Sequence, residues 1–160
     1  MPIRSRVVAL WVQVLVRQVH GGRARHETAV SQSRSALIVD DEDQLLRLMA
    51  RLVERGGYRT WTARDGVEAL RIFREHQGEI DLLLLDVLHP PGAGAADLLP
   101  ALLAEKPGLD VILTSGDALS EDLDRELAAI GGHFLRKPFA PRALLDLLDA
   151  AATPASARSV

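Results

Sequence analysis

The chain lacks cysteine and has no long uninterrupted apolar run. Without cysteine, disulfide bonds, thiolate metal ligands and a cysteine nucleophile are excluded. The longest apolar stretch, residues 7–16, is interrupted by Gln13 and is too short for a membrane-spanning helix. Arg4 and Arg6 precede it, as basic residues precede the core of a signal peptide, but no small-residue cleavage pattern follows closely. We therefore expect a cytoplasmic protein without a membrane span.

Clustered basic charge is also scarce beyond the first part of the chain. The net charge is -3, yet residues 1–35 contain six arginines against a single acidic residue, Glu27. The remaining residues carry an excess of acidic side chains. Binding to nucleic acid through phosphate groups requires clustered Lys and Arg, so we expect no direct nucleic-acid partner.

The 160 residues suit one domain with an extension. Residues 1–34 form an N-terminal extension or linker of uncertain structure, with Gly21-Gly22 and a polar run before the domain. Residues 35–152 form the domain. Residues 153–160 are small and polar and are predicted to be a flexible tail.

From residue 36 onward, short apolar runs alternate with amphipathic segments. This alternation predicts an α/β fold, in which a doubly wound five-stranded parallel sheet is flanked by five helices. The predicted strands are 36–40, 58–63, 80–86, 109–115 and 133–137. The predicted helices lie near 43–55, from 66 onward, near 95–105, near 119–130 and from 141 onward.

Charged residues follow three of these strands. Asp40 and Asp41 close the first strand, Asp86 closes the third, and Lys137 closes the fifth. The carboxyl ends of parallel strands meet at one edge of the sheet, where α/β proteins bind ligands. Three carboxylates and one ammonium at that edge indicate a site for a divalent cation and an anionic group. Asp43 lies outside this set, and we interpret it as a helix cap.

Residues 36–151 resemble the receiver domain of two-component response regulators, whose fold is shared with the chemotaxis regulator and flavodoxin. Four motifs carry the resemblance, each at the end of a predicted strand: LIVDDE, LLLLDV, VILTSG and KPF. Their order and spacing fit the family. The resemblance implies the strand order 2-1-3-4-5.

The resemblance also implies roles for single residues. Asp86 would be the phosphoacceptor, taking a phosphoryl group from a histidine kinase or a histidine phosphotransfer protein. A site for Mg²⁺ or Mn²⁺ would be formed by Asp40, Asp41, Asp86 and the backbone carbonyl of Leu88. Without metal, at least one of the clustered carboxyl groups should have a raised pKa.

Three further residues would assist or report the transfer. Lys137 would pair with Asp86 and afterwards with the phosphoryl oxygens, and a cis peptide bond to Pro138 is expected. Ser115 would donate its hydroxyl to the same oxygens. Phe134 would be the switch aromatic, and its movement would remodel the surface of strand four, helix four and strand five. Such a domain promotes its own phosphorylation and dephosphorylation without being a conventional turnover enzyme.

The sequence leaves more than one hypothesis for the role of this domain. The leading hypothesis is a stand-alone receiver, monomeric or weakly dimeric, that docks a downstream protein. The alternatives are a C-terminal receiver fragment of a hybrid histidine kinase, which residues 14–28 faintly suggest, and a phosphorylation-independent adaptor, which intact Asp86 and Lys137 disfavour. An aspartate-based phosphohydrolase would need a second acid at Leu88.

The side chain at Leu88 predicts a long-lived aspartyl phosphate, because an aliphatic group two residues after the acceptor cannot orient a hydrolytic water. We expect Leu88→Asn to shorten the half-life of the phosphorylated domain in the presence of Mg²⁺, as followed by mass spectrometry. A half-life of only seconds in the unmodified protein would contradict the prediction.

Overall fold

The computed structural model describes residues 34–87 and 95–152. The predictions for residues 1–33, for the loop that contains Leu88, and for the tail 153–160 lie outside the described residues. Arg34 is the one residue of the predicted extension that is described.

The described residues form a parallel sheet between two layers of helices. Its strands are β1 (Ser35–Val39), β2 (Arg59–Ala63), β3 (Ile80–Asp86), β4 (Asp110–Ser115) and β5 (His133–Arg136). The helices are α1 (Asp43–Arg55), α2 (Gly66–Glu75), α3 (Ala95–Glu105), α4 (Glu121–Ala129) and α5 (Pro141–Ala152). The strand order β2-β1-β3-β4-β5 confirms the predicted fold, and the predicted bounds shift by only one or two residues.

Local sequence explains where α2 begins, but not where α1 begins. The Asp65 side chain accepts a hydrogen bond from the backbone N–H of Glu68, which satisfies one of the unpaired donors at the start of α2. At α1 the cap position is Glu42, without a side-chain cap bond. Asp43 is the first helical residue and pairs with Arg64 at 2.9 Å (Oδ1 to Nε), so the prediction of Asp43 as a cap is wrong.

Each face of the sheet is covered by its own hydrophobic core. Side chains alternate between the two faces along a strand, so that in β1 Ala36 and Ile38 face one core while Leu37 and Val39 face the other. Helices α1 and α5 cover the first face, and α2, α3 and α4 cover the second. Because both faces are buried, the central strands are apolar almost without interruption, as the sequence predicts.

No helix among residues 34–87 and 95–152 is long and apolar enough to cross a membrane.

Among the described glycines, Gly132 in the turn between α4 and β5 comes nearest to the backbone of another element. A Cβ at Gly132 would overlap the Leu127 Cδ1 atom and would lie 3.1 Å from the carbonyl oxygen of Val111. The backbone oxygen belongs to β4 and cannot move without disturbing the sheet. The absence of a side chain at Gly132 therefore lets α4 and β5 pack closely beside the strand that ends at Ser115.

We expect Gly132→Ala to lower the free energy of unfolding by about 1–3 kcal/mol, because the added methyl group overpacks this turn. Gly78→Ala is the matched control: a Cβ there meets nothing within 4 Å, so the change should stay within about 0.5 kcal/mol. Chemical denaturation followed by circular dichroism measures both. Equal stabilities of the two variants would contradict the packing argument.

Candidate metal and phosphoryl site

Three carboxylates lie together at the carboxyl edge of the sheet. Asp40 follows β1, Asp41 comes next, and Asp86 ends β3, which is the neighbour of β1. One carboxylate oxygen from each lies within 4.8 Å of the others. Asp40 and Asp86 are buried, whereas Asp41 is exposed. The parallel strands thus bring together the three acids that the sequence predicts to meet.

The ammonium group of Lys137 lies between the two buried carboxylates. Its Nζ atom is 3.1 Å from Oδ2 of Asp40 and 3.2 Å from Oδ2 of Asp86. The predicted pairing with Asp86 is present, and the pairing with Asp40 is an addition to it. Only 14% of the lysine side chain is exposed, so water screens these attractions weakly.

The backbone after β5 fixes the direction of this lysine. The Lys137 N–H donates to the carbonyl of Ser115, at an N to O distance of 2.7 Å, which extends the pairing of β4 and β5 by one step. The expected cis peptide bond between Lys137 and Pro138 is present.

The pKa of the Asp40 carboxyl is raised above its ordinary value. Burial is the main cause, and the nearby Asp86 charge adds to it. Lys137 and a hydrogen bond from the backbone N–H of Glu42 to Asp40 Oδ1 (2.9 Å) act in the opposite direction. The expectation that crowding raises at least one carboxyl pKa is confirmed, with burial as the larger contribution.

One oxygen in the cluster has no hydrogen-bond partner. Oδ1 of Asp86 is buried and unpartnered, whereas Oδ2 of the same carboxylate is held by Lys137. Buried carboxylate oxygens without a donor are unusual, and each calls for a specific explanation. An all-oxygen donor set that contains such an atom fits a hard divalent cation such as Mg²⁺.

Ser115 ends β4, the strand beside β3, and Phe134 lies in the neighbouring strand β5. Ser115 is 1% exposed, and its Oγ accepts a hydrogen bond from the backbone N–H of Asp117 at 3.1 Å. Phe134 is half-buried, opposite Leu113 in the β4–β5 register, and packs against the core under α2, α3 and α4. Ser115 follows Thr114, the register partner of Asp86, so the serine stands at the same edge of the sheet as the predicted acceptor. The predicted Leu88 ligand lies outside the described residues.

Glu42 is a member of the site that the sequence argument did not assign. It is half-buried, and burial raises the pKa of its carboxyl, with a further contribution from the charge of Asp40. Its backbone N–H donates to Asp40, as described above. The sequence offered one sign of this role: Glu42 is the third consecutive acidic residue in the motif that follows β1.

We expect Asp40→Asn to stabilise the metal-free domain at neutral pH. Because the pKa of Asp40 is higher in the folded than in the unfolded chain, its ionised carboxylate disfavours folding above the raised pKa. This cost disappears below the unfolded pKa of about 3.9. The advantage of the variant should therefore grow as pH rises from that value. Thermal unfolding in EDTA across a pH series measures it.

Asp146→Asn on the exposed part of α5, where the aspartate side chain is 61% exposed, is the matched control and should show no such trend. An Asp40→Asn protein that is less stable than the unmodified chain at every pH would contradict the argument.

The chain is similar to known proteins of one family. The family description "Response regulator receiver domain" matches residues 36–149. The sensor kinase CckA of Brucella abortus (strain 2308) is 37% identical over 120 residues, which cover 73% of this chain and 12% of that protein. The transcriptional regulatory protein CpxR of Escherichia coli (strain K12) is 38% identical over 110 residues, 68% of this chain and 45% of that protein.

A solved receiver-domain structure from Clostridium thermocellum shares the fold. It has 31% sequence identity and a TM-score of 0.63, and the match covers 74% of this chain and 93% of that one. The chain spans less than half the length of the two curated relatives named above. The matched family, the five-stranded sheet and the acidic cluster together establish that this chain belongs to the response regulator receiver domain family.

Proposed function

We propose that Asp86 accepts a phosphoryl group from a phosphohistidine on a histidine kinase or a histidine phosphotransfer protein. The observation that carries this proposal is the buried Asp86 carboxylate, held by Lys137 at 3.2 Å and beside Asp40 and Asp41 within 4.8 Å. The receiver family of the chain supports the same reaction.

In the proposed step an oxygen of the Asp86 carboxylate attacks the phosphorus atom. An O–P bond forms and the P–N bond to the donor imidazole breaks, with its electron pair going to the imidazole nitrogen. Lys137 then neutralises charge on the phosphoryl oxygens as well as on the carboxylates that it already contacts. Its position is set before the reaction, so little reorganisation is needed.

We propose that Asp40, Asp41 and Asp86 hold Mg²⁺ or Mn²⁺. The support is the all-oxygen donor set and the unpartnered Asp86 oxygen. When bound, such a cation offsets the repulsion among the carboxylates and stabilises charge on the transferring phosphoryl group. The Leu88 carbonyl remains a predicted further ligand.

We propose that Ser115 and Phe134 transmit the phosphorylated state. The Oγ of Ser115 accepts a hydrogen bond from the backbone of Asp117, so its own proton can be donated to a phosphoryl oxygen. Phe134 is the register partner of Leu113, two residues before Ser115, and a change at Ser115 would alter its packing. The surface of β4, α4 and β5 is then the part that a downstream protein would contact.

Two kinds of relative point to two settings for the same chemistry. CckA is a sensor kinase, and its similarity favours a receiver derived from a hybrid kinase. CpxR is a transcriptional regulatory protein, and its similarity favours a response regulator. The proposal concerns residues 35–152 as the functional unit and holds in either setting.

Incubation with acetyl phosphate or phosphoramidate tests the acceptor. We expect a mass gain of one phosphoryl group that requires Mg²⁺ and is lost in Asp86→Asn. Asp146→Asn removes an exposed carboxylate on α5 and should be phosphorylated like the unmodified chain. Intact mass spectrometry measures all three proteins.

An unmodified chain that gains no phosphoryl group with Mg²⁺ would overturn the proposal. An adaptor independent of phosphorylation predicts instead that Asp86→Asn binds its protein partner as the unmodified chain does, with or without the phosphodonor.

A further inference from the structure

Arg34 makes three contacts at the amino edge of the sheet, opposite the charged site. One Nη donates to Asp110 Oδ2 at 2.7 Å, at the start of β4. The other Nη donates to the carbonyl oxygen of Ala151 in the last turn of α5. The guanidinium also lies over the ring of Tyr58, 5.7 Å from its centre. One side chain thus joins the start of β1 to β4 and to the end of α5.

Arg34 brings a positive charge to the last turn of α5. The final four carbonyl groups of a helix have no partner within the helix, and they carry the negative end of its dipole. The last turn of α5 contains no basic residue of its own. Arg34, which precedes Ala151 by 117 positions, supplies both a donor and a positive charge there.

The surroundings hold Arg34 and α5 in place. The carbonyl of Arg34 accepts from the N–H of Arg59 at 2.8 Å, which fixes the backbone of Arg34 beside β2. The hydroxyl of Tyr58 donates to the carbonyl of Leu148 at 3.1 Å, and burial raises the pKa of that hydroxyl, so it remains a donor. Gly56 approaches Leu148 so closely that a Cβ would lie 2.9 Å from its Cδ1.

From these contacts we infer that Arg34 is a latch that couples the chain entering β1 to the last turn of α5. The last turn is ordered while Arg34 lies between Asp110 and Ala151, and it frays when Arg34 is withdrawn. Displacing the Arg34 side chain from Asp110 and Ala151 would therefore loosen the end of α5, at the sheet edge opposite Asp86. This coupling is separate from the proposed phosphotransfer.

Hydrogen exchange followed by mass spectrometry tests the latch. In Arg34→Ala we expect the amides of residues 149–152 to exchange about tenfold faster, because a hydrogen bond to a charged group is lost. Amides in β3 should keep their protection. Phosphorylation by acetyl phosphate should be unchanged, because Arg34 lies at the other edge of the sheet. The exchange result stands whether or not Asp86 is the acceptor.

Arg59→Ala is the matched control, because it removes an exposed arginine at the same edge whose partner is Glu79 at 2.8 Å. It should leave residues 149–152 protected. Arg34→Lys keeps the charge but loses the planar guanidinium that donates to Asp110 and Ala151 at once. It should therefore give a smaller acceleration of hydrogen exchange at the same amides. Unchanged exchange at 149–152 in both Arg34 variants would overturn the latch, as would an equal acceleration in β3 or in Arg59→Ala.

Discussion

The charged edge of the sheet depends on one interaction. The ammonium group of Lys137 forms ion pairs with two buried carboxylates, those of Asp40 and Asp86. Removing Lys137 would leave two buried carboxylates without a counter-charge, and breaking a buried ion pair in this way typically costs about 3–5 kcal/mol. The geometry follows from strand order: from the end of β5 the lysine reaches across β4 to Asp86 at the end of β3, and across both β4 and β3 to Asp40 after β1.

The fold and the charged residues could be predicted because strand ends are marked by an abrupt change from apolar to charged side chains. In β3 this change occurs at Asp86, and in β1 at Asp40. Strand alternation also explains a contact that was not predicted. If the alternation is extended by one residue past each strand end, Asp40 falls on the side of Ile38 and Lys137 on the side of Leu135, which is the face covered by α1 and α5.

Other features could not be predicted, because they depend on side chains that are distant in sequence. A lone arginine before β1 gives no sign that its partners are Asp110 and Ala151. Aspartate is a common helix-capping residue, but Asp43 lies one position past the cap, as the first residue of α1. There its carboxylate forms an ion pair with Arg64. In both cases tertiary contact overrides the local tendency of the residue.

The bond between Arg34 and Ala151 has a topological consequence. The first and nearly the last described residues lie within hydrogen-bonding contact, so the described domain begins and ends at one place on its surface. A unit of this shape can be inserted into a surface loop of another protein without forcing the ends of that loop apart, and its order of elements can be circularly permuted through a short linker. A domain with this architecture is therefore suited to occur in proteins that differ in their other domains.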